Sequence, residues 1–379
     1  MSATAPLRQP GSMEQLRRHN LHLVLRSVYS GAAETRAELA VVTGLTKPTV
    51  STLVQELLAD GYLSELGPGR SSVSGGKRPT LLRFEPRARQ VIGISVVGRR
   101  VLGVISDLAG ETSALHVREL EPDEHARDVG ERPVRDVVSG LLPQLDAPLL
   151  AIGLGLPGSV PGPEVAAGLA RRFEVGVHVG NQAELSALGQ LAYADGVGHG
   201  ATLVNLIVDR SVEMGVAMAG GRVHYGSELG ALTPANGSLS LAETLSWDAV
   251  RSRVAGVLAQ WRSPASVDDE GSAVSYLRLR AAAELGEPQA VALVAELAGA
   301  LAPVLAWVVA VLRPDQISLG GRLGDLGGQF LETAKGRACD LLPPEELEKV
   351  DLSLAYTDQL SAMGAVALAI QAELELLLP

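Results

Sequence analysis

Lys47, Thr49, Ser51, Thr52 and Gln55 recur along one side of the stretch Thr46–Leu58. One cation, three short hydroxyls and an amide are donors and acceptors suited to phosphate oxygens and base edges. Arg70, Lys77 and Arg78 form a second basic group on the glycine-rich run 67–79. Cations on a flexible ribbon can reach phosphates or a narrow minor groove. A third pattern, Gly153-Leu154-Gly155-Leu156-Pro157-Gly158, has dinucleotide-loop spacing after an apolar run. That chemistry needs a helix starting at the loop. Pro157, Pro161 and Pro163 follow and oppose helix continuation, so a nicotinamide site is not expected.

The first two groups need elements that hold them. Leu16, Leu21, Val24, Leu25 and Val28 have helical spacing within Gln15–Tyr29. Thr35 and Glu38 form a capping-box signature that starts a second helix, with Arg36 at its head. Gly44 supplies a tight turn. Thr46 caps a third helix, and Pro48 sits in its first turn, where a missing N–H costs little. Val50, Leu53, Val54, Leu57 and Leu58 make its buried stripe, which turns the polar series outward. Tyr62–Leu66 and Thr80–Phe84 are extended runs flanking the basic tip, as in a wing. The order predicts a winged helix-turn-helix over 15–88, with a disordered tail over 1–14. Lys47, Thr49 and Ser51 lie where recognition helices enter the major groove, and Arg36, Thr46, Thr52, Gln55, Arg70, Lys77 and Arg78 complete the expected DNA-binding set.

Composition fits a joined molecule. The 379 residues suggest two or three domains, and 46% apolar residues can build a sizeable core. Residues 1–90 hold 12 Lys/Arg against 7 Asp/Glu, although the whole chain carries a net charge of −11. A basic module on an acidic body is expected when only the module touches phosphate. Cys339 is the only cysteine, which excludes an intrachain disulfide framework and a cysteine-rich zinc site. The start of the chain reads as a polar, proline-containing tail, and the apolar run Leu297–Leu312 is short for a bilayer. A cytoplasmic protein without a membrane partner is expected.

The residues 40–51, then Gly75-Gly76-Lys77-Arg78-Pro79 and Leu81-Leu82, resemble the N-terminal module of ROK-family transcriptional regulators. The resemblance implies a sugar-kinase-like body. Strand patterns at Gln90–Val97, Val101–Asp107, Leu149–Leu156, Ala201–Val208 and Gln316–Leu319 support it. So do helical patterns at Asn181–Ala194, Ser246–Trp261, Val267–Leu285 and Gln289–Leu312. Strands alternating with helices predict α/β layers with a largely parallel sheet. The expected fold class is therefore α/β: a winged helix-turn-helix followed by an actin-like, sugar-kinase-like body over 89–379. Its two α/β lobes would cover approximately 89–195 and 196–379.

The body departs from the family's kinases. Their Asp-Ile-Gly-Gly-Thr loop is replaced by Ser95-Val96-Val97-Gly98-Arg99. Their second phosphate loop is replaced by Asp209–Gly215, where Asp209 and Glu213 would repel a polyphosphate. Gln182 stands where the resemblance implies a catalytic Asp, and an amide cannot take a hydroxyl proton. Glu184 would point to a different helix face. No catalytic residue and no cofactor are expected. Ala231 stands where the zinc histidine would be, so no structural zinc is expected either.

Part of the sugar-pocket pattern persists in Asn181, Gln182, Glu228 and Glu243. Amides and carboxylates pair with sugar hydroxyls. The pocket takes an altered sugar or another small polar ligand, or it is vestigial; Glu228 and Glu243 fit surface carboxylates equally well. The expected partners are an operator in double-stranded DNA, a sugar or other small effector, and further copies of the chain in a homodimer or larger homo-oligomer. The alternative is an ATP-dependent sugar kinase with an accessory DNA-binding domain.

Overall fold

The computed structural model describes residues 13–68, 78–97, 100–120, 131–158, 160–193, 200–218, 223–233, 239–261, 274–355 and 357–376. Three helices open the chain: α1 (Met13–Tyr29), α2 (Arg36–Thr43) and α3 (Lys47–Ala59). The Thr35–Glu38 capping box forms, with both reciprocal bonds present. Gly44 ends α2 at φ 70°, a left-handed conformation that glycine adopts without strain. Thr46 caps α3, accepting from the Thr49 N–H at 3.3 Å. Val50, Leu53, Val54 and Leu57 are buried against Val24, Leu25 and Leu39. Strands β1 (Leu63–Pro68) and β2 (Thr80–Phe84) pair antiparallel as the wing. The Leu82 N–H donates to the Glu34 carbonyl at 2.7 Å, tying the wing to the head of α2. Its tip, with Arg70 and Lys77, lies outside the described residues.

Each lobe of the body holds one five-stranded sheet. The first contains β3 (Gln90–Val97), β4 (Arg100–Asp107), β5 (Thr112–Glu119), β6 (Leu149–Leu156) and β7 (Gly176–Asn181), in the order β5-β4-β3-β6-β7. The second contains β8 (Leu203–Val208), β9 (Val212–Met218), β10 (Val223–Glu228), β11 (Gln316–Gly320) and β12 (Asp351–Leu354), in the order β10-β9-β8-β11-β12. Both sheets are mixed rather than largely parallel. Three strands form an antiparallel meander, and the other two join in parallel. The hairpins need only short turns, whereas the parallel strands take helical crossovers.

Helices α4 (Glu131–Leu141) and α5 (Gly162–Phe173) cover the outside of the first sheet. Pro163 lies in the first turn of α5, so the prolines after Gly158 delay a helix rather than forbid one. The short α7 (Leu241–Leu245) leads into α8 (Trp247–Gln260), α9 (Tyr276–Glu284), α10 (Pro288–Leu312), α11 (Gly327–Cys339) and α12 (Pro344–Glu348), which pack on the second sheet. By length and composition α10 could cross a membrane. Here Leu293, Leu297, Leu301, Leu305 and Val309 bury one side of it in the lobe core.

Two helices lie between the sheets: α6 (Gln182–Tyr193) and the terminal α13 (Thr357–Leu374). Glycines bring their backbones into contact. A Cβ built on Gly364 would lie 1.8 Å from the Leu185 carbonyl oxygen, and one on Gly189 would lie 2.2 Å from that of Leu360. Gly153 meets the Ala365 carbonyl in the same way, at 1.9 Å. The glycine run after the apolar strand therefore seats α13 on the sheet rather than cradling a dinucleotide.

The N-terminal module shares a core with the body. One continuous hydrophobic cluster runs from Val24, Leu25 and Leu57 through Val91 and Leu108 to Val366, Ile370, Leu374 and Leu376. Polar contacts reinforce it. His22 Nδ1 lies 3.4 Å from a Glu375 carboxylate oxygen, and the Arg89 guanidinium sits 4.8 Å above the Tyr62 ring.

Candidate functional site

Two surfaces emerge. On α3, Lys47, Ser51, Thr52 and Gln55 are exposed and Thr49 is half-buried, while the opposite face is in the core. The hydroxyls are locally ordered. Thr46 and Thr49 Oγ1 atoms lie 2.8 Å apart, and Thr52 Oγ1 donates to the Pro48 carbonyl at 3.1 Å. Arg17 braces the helix from α1 through Glu56, at 2.7 Å. Arg36 is engaged within the module: its Nη1 lies 2.9 Å from Glu65 Oε1 on β1. Arg78 is exposed at the base of the wing.

The second surface gathers at the junction of β7 and α6. Asn181 Oδ1 accepts from the Ala183 and Glu184 N–H groups at 2.8 and 3.3 Å, capping α6. Its Nδ2 donates to Glu213 Oε2 at 3.0 Å. The other Glu213 oxygen accepts from Ser211 Oγ at 2.8 Å and from the Gly158 N–H at 3.3 Å. Glu213 is 1% exposed. Burial raises its pKa, and the hydrogen bonds from Ser211, Asn181, Gly158 and Gln182 oppose that shift. Gln182 is buried beside it, and its Oε1 has no hydrogen-bond partner among the described residues.

Glu228 pairs with Glu213 across the β9–β10 ladder. Directly opposed residues point to the same face, so the two carboxylates share one side of the sheet with Asn181. Glu243 does different work. It is exposed and closes a capping box with Ser240, accepting from the Ser240 N–H and Oγ at 2.8 and 2.7 Å. The geometry thus brings together Asn181, Gln182 and Glu213, sets Glu228 exposed on β10 opposite Glu213, and sets Glu243 at a helix start. Sequence reasoning weighed Glu213 only as a charge hostile to phosphate. Its cross-strand register with Glu228 is what reveals its place.

The Asp209 end of the same segment is filled by protein. Asp209 is buried, and Arg322 Nε lies 3.1 Å from its Oδ1 in an ion-pair contact without hydrogen-bond geometry. Burial pushes the Asp209 pKa up, and Arg322 pulls against it. Arg322 also lies 5.2 Å over the Trp247 ring. It follows Gly321, whose φ of 74° turns the chain back towards β8. An internal guanidinium, carboxylate and indole thus occupy the carboxyl ends of β8 and β11, where open α/β sheets ordinarily hold ligands.

The Glu213 shift has a pH consequence. Above the ordinary carboxyl value of 4.5 the folded state retains a proton that the unfolded state releases, so this group's contribution to stability falls as pH rises. Glu213→Gln removes that slope. In urea titrations from pH 4.5 to 7 the variant gains stability relative to wild type as pH increases; parallel curves would show the assignment to be wrong.

The fold is a winged helix-turn-helix joined to a sugar-kinase-like, two-lobed α/β body. No family model matches the chain. It is 26% identical to the xylose repressor of Bacillus subtilis (strain 168) over 213 residues, covering 52% of this chain and 54% of that one. The chain thus spans about half the length of that relative. The likeness to the xylose repressor of Caldicellulosiruptor bescii is 24% over 363 residues, 85% of this chain and 88% of that one. Among solved structures, a ROK-family transcriptional regulator described as a homolog of the E. coli MLC protein superposes with a TM-score of 0.68 at 19% identity, covering 96% and 98% of the two chains. A ROK-family glucokinase from Streptomyces griseus, in complex with glucose and AMPPNP, superposes with a TM-score of 0.58 at 18% identity, covering 74% and 99%. The sequence likeness is thus to xylose repressors, and the fold is shared with a ROK-family regulator and with ROK-family kinases.

Proposed function

We propose that this protein is a sugar-responsive transcriptional repressor whose body has no kinase activity. The observation that carries the reading is the outward polar face of α3, on a module whose core continues into a body where a buried carboxylate, Glu213, is held by Asn181 and Ser211. Lys47, Thr49, Ser51, Thr52 and Gln55 enter the major groove, with Thr46 at the head of the helix. Arg70, Lys77 and Arg78 contact the flanking backbone or minor groove. Arg36 supports the module through Glu65. Asn181, Gln182, Glu213 and Glu228 take hydroxyl groups of the effector, with the unpaired Gln182 Oε1 accepting from one of them.

The protein acts in the cytoplasm as a homodimer or larger assembly on paired half-sites. Trp307 and Val311, two of the exposed apolar residues of α10, contribute to the contact between copies. The effector shifts the spacing of the half-site readers by favouring one arrangement of the body. The xylose-repressor relatives make xylose the first sugar to test.

The test is operator binding by fluorescence anisotropy, using sites mapped in the protein's own genome, with and without a sugar panel. Sugar-dependent release supports the reading. ATP-dependent phosphorylation of a sugar by the purified chain would overturn it in favour of a kinase. Lys47→Ala and Arg78→Ala each weaken operator binding and lower the log–log salt slope by about 0.9, one phosphate contact apiece. Unchanged affinity and slope in both variants would remove these residues from the DNA face.

A further inference from the structure

A cavity of about 430 Å³ opens at the seam between the two lobes. It lies apart from the Asn181–Glu213 cluster, none of whose residues line it. Gln190 and Tyr193 line it from the far end of α6, roughly 12–17 Å beyond Gln182 at the helical rise per residue. The first sheet contributes Thr112, the second contributes Ser318 and Leu354, and α13 contributes Met363. An occupant would therefore touch both lobes and both central helices.

The lining is chemically specific. All of it is uncharged: hydroxyls, glutamine amides, one aromatic ring and aliphatic or thioether surface. A phosphate or carboxylate would lose its hydration there with no opposite charge to replace it. Gln190 is held in place, its Oε1 accepting from Ser318 Oγ at 3.1 Å and from Asn205 Nδ2 at 3.3 Å. Thr112 Oγ1 donates to the Met363 sulfur at 3.4 Å, and a thioether is a weak acceptor. The Tyr193 hydroxyl and Asn205 Oδ1, at the same seam, are buried with no hydrogen-bond partner among the described residues. Those two atoms do not open onto the cavity; the hydrogen-bonding groups that line it are Thr112, Gln190, Ser318 and Gln359. Tyr193 and Met363 supply the flat, polarizable surface that accepts a ring. The volume lies in the range of small-molecule pockets.

We propose that this seam cavity binds an uncharged, hydroxyl-bearing aromatic small molecule. Its ring packs on Tyr193 and Met363, and its hydroxyls reach Gln190, Ser318 and Thr112. The experiment is calorimetric titration of the full chain with resorcinol and with catechol, using benzoate as the anionic control. Both hydroxylated aromatics bind saturably and benzoate does not. Ala355→Phe and Leu354→Trp fill the cavity from its β12 edge and each weaken resorcinol binding by at least about tenfold. Glu228→Ala, at the exposed end of β10 and outside the cavity lining, leaves resorcinol binding unchanged. Absence of saturable binding, equal affinity in both cavity variants, or loss in Glu228→Ala would overturn the proposal. Circular dichroism checks that each variant is folded, and a crystal of wild type grown with resorcinol locates the ligand if neither cavity variant folds.

Discussion

Gly364→Val lowers the stability of the protein by at least about 3 kcal/mol in urea denaturation, at the upper end of overpacking costs. A Cβ at this position would lie 1.8 Å from the Leu185 carbonyl oxygen and 2.5 Å from its carbon. Both are backbone atoms of α6, so no rotamer change relieves the clash and the two central helices must separate. Gly189 meets the Leu360 carbonyl on the same crossing, so the helices cannot slide to a looser register. Gly336→Ala is the matched control. Gly336 is on α11 with open space where its Cβ would go, and the exchange stabilises by roughly 0.5–1 kcal/mol through helix propensity. If the two variants have similar stability, the crossing is not the close contact described.

On the proposed DNA-reading face of α3, Ser51→Glu is expected to abolish tight operator binding while leaving the fold intact. Ser51 is exposed on α3, and glutamate is a better helix former than serine, so the module tolerates the exchange. On the DNA, a carboxylate replaces a small donor against a polyanion. Like-charge juxtaposition at an interface costs several kcal/mol. An affinity loss of about 100-fold or more follows, equivalent to ~2.7 kcal/mol. Thermal unfolding should match wild type, which separates a binding defect from a folding defect. Retained affinity would mean that another face of the module meets the DNA.

What was legible in the sequence was local. Thr35 with Glu38, Gly44, and Thr46 with Pro48 set helix ends within a few residues of themselves, and all three devices form as read. The body's main strands were visible because buried strands carry nearly unbroken apolar runs. The strand β5 was not read; it is an edge strand whose side chains alternate between half-buried and exposed. Helix α5 was hidden behind Pro161 and Pro163, which look like breakers until one of them falls in a first turn. Glu243 carried a readable signal, since Ser240 and Glu243 have capping-box spacing, but its likeness to a pocket carboxylate drew the reading elsewhere. Glu213 was beyond reach for a different reason. Its partners Asn181, Gly158 and Glu228 come from three other segments, and strand register is not encoded locally.

The shared core between the N-terminal module and α13 bears on how such proteins could exchange specificities. A head grafted at the boundary near residue 88 would arrive without the surface it was built on, and Ile370, Leu374 and Leu376 of the host would face a stranger. The unit of inheritance is therefore discontinuous: the head, with Val91 and Leu108 just beyond it, together with the end of α13 and Leu376. A swapped operator preference is expected to survive only when both pieces travel together, or when the change is confined to the outward side chains of α3.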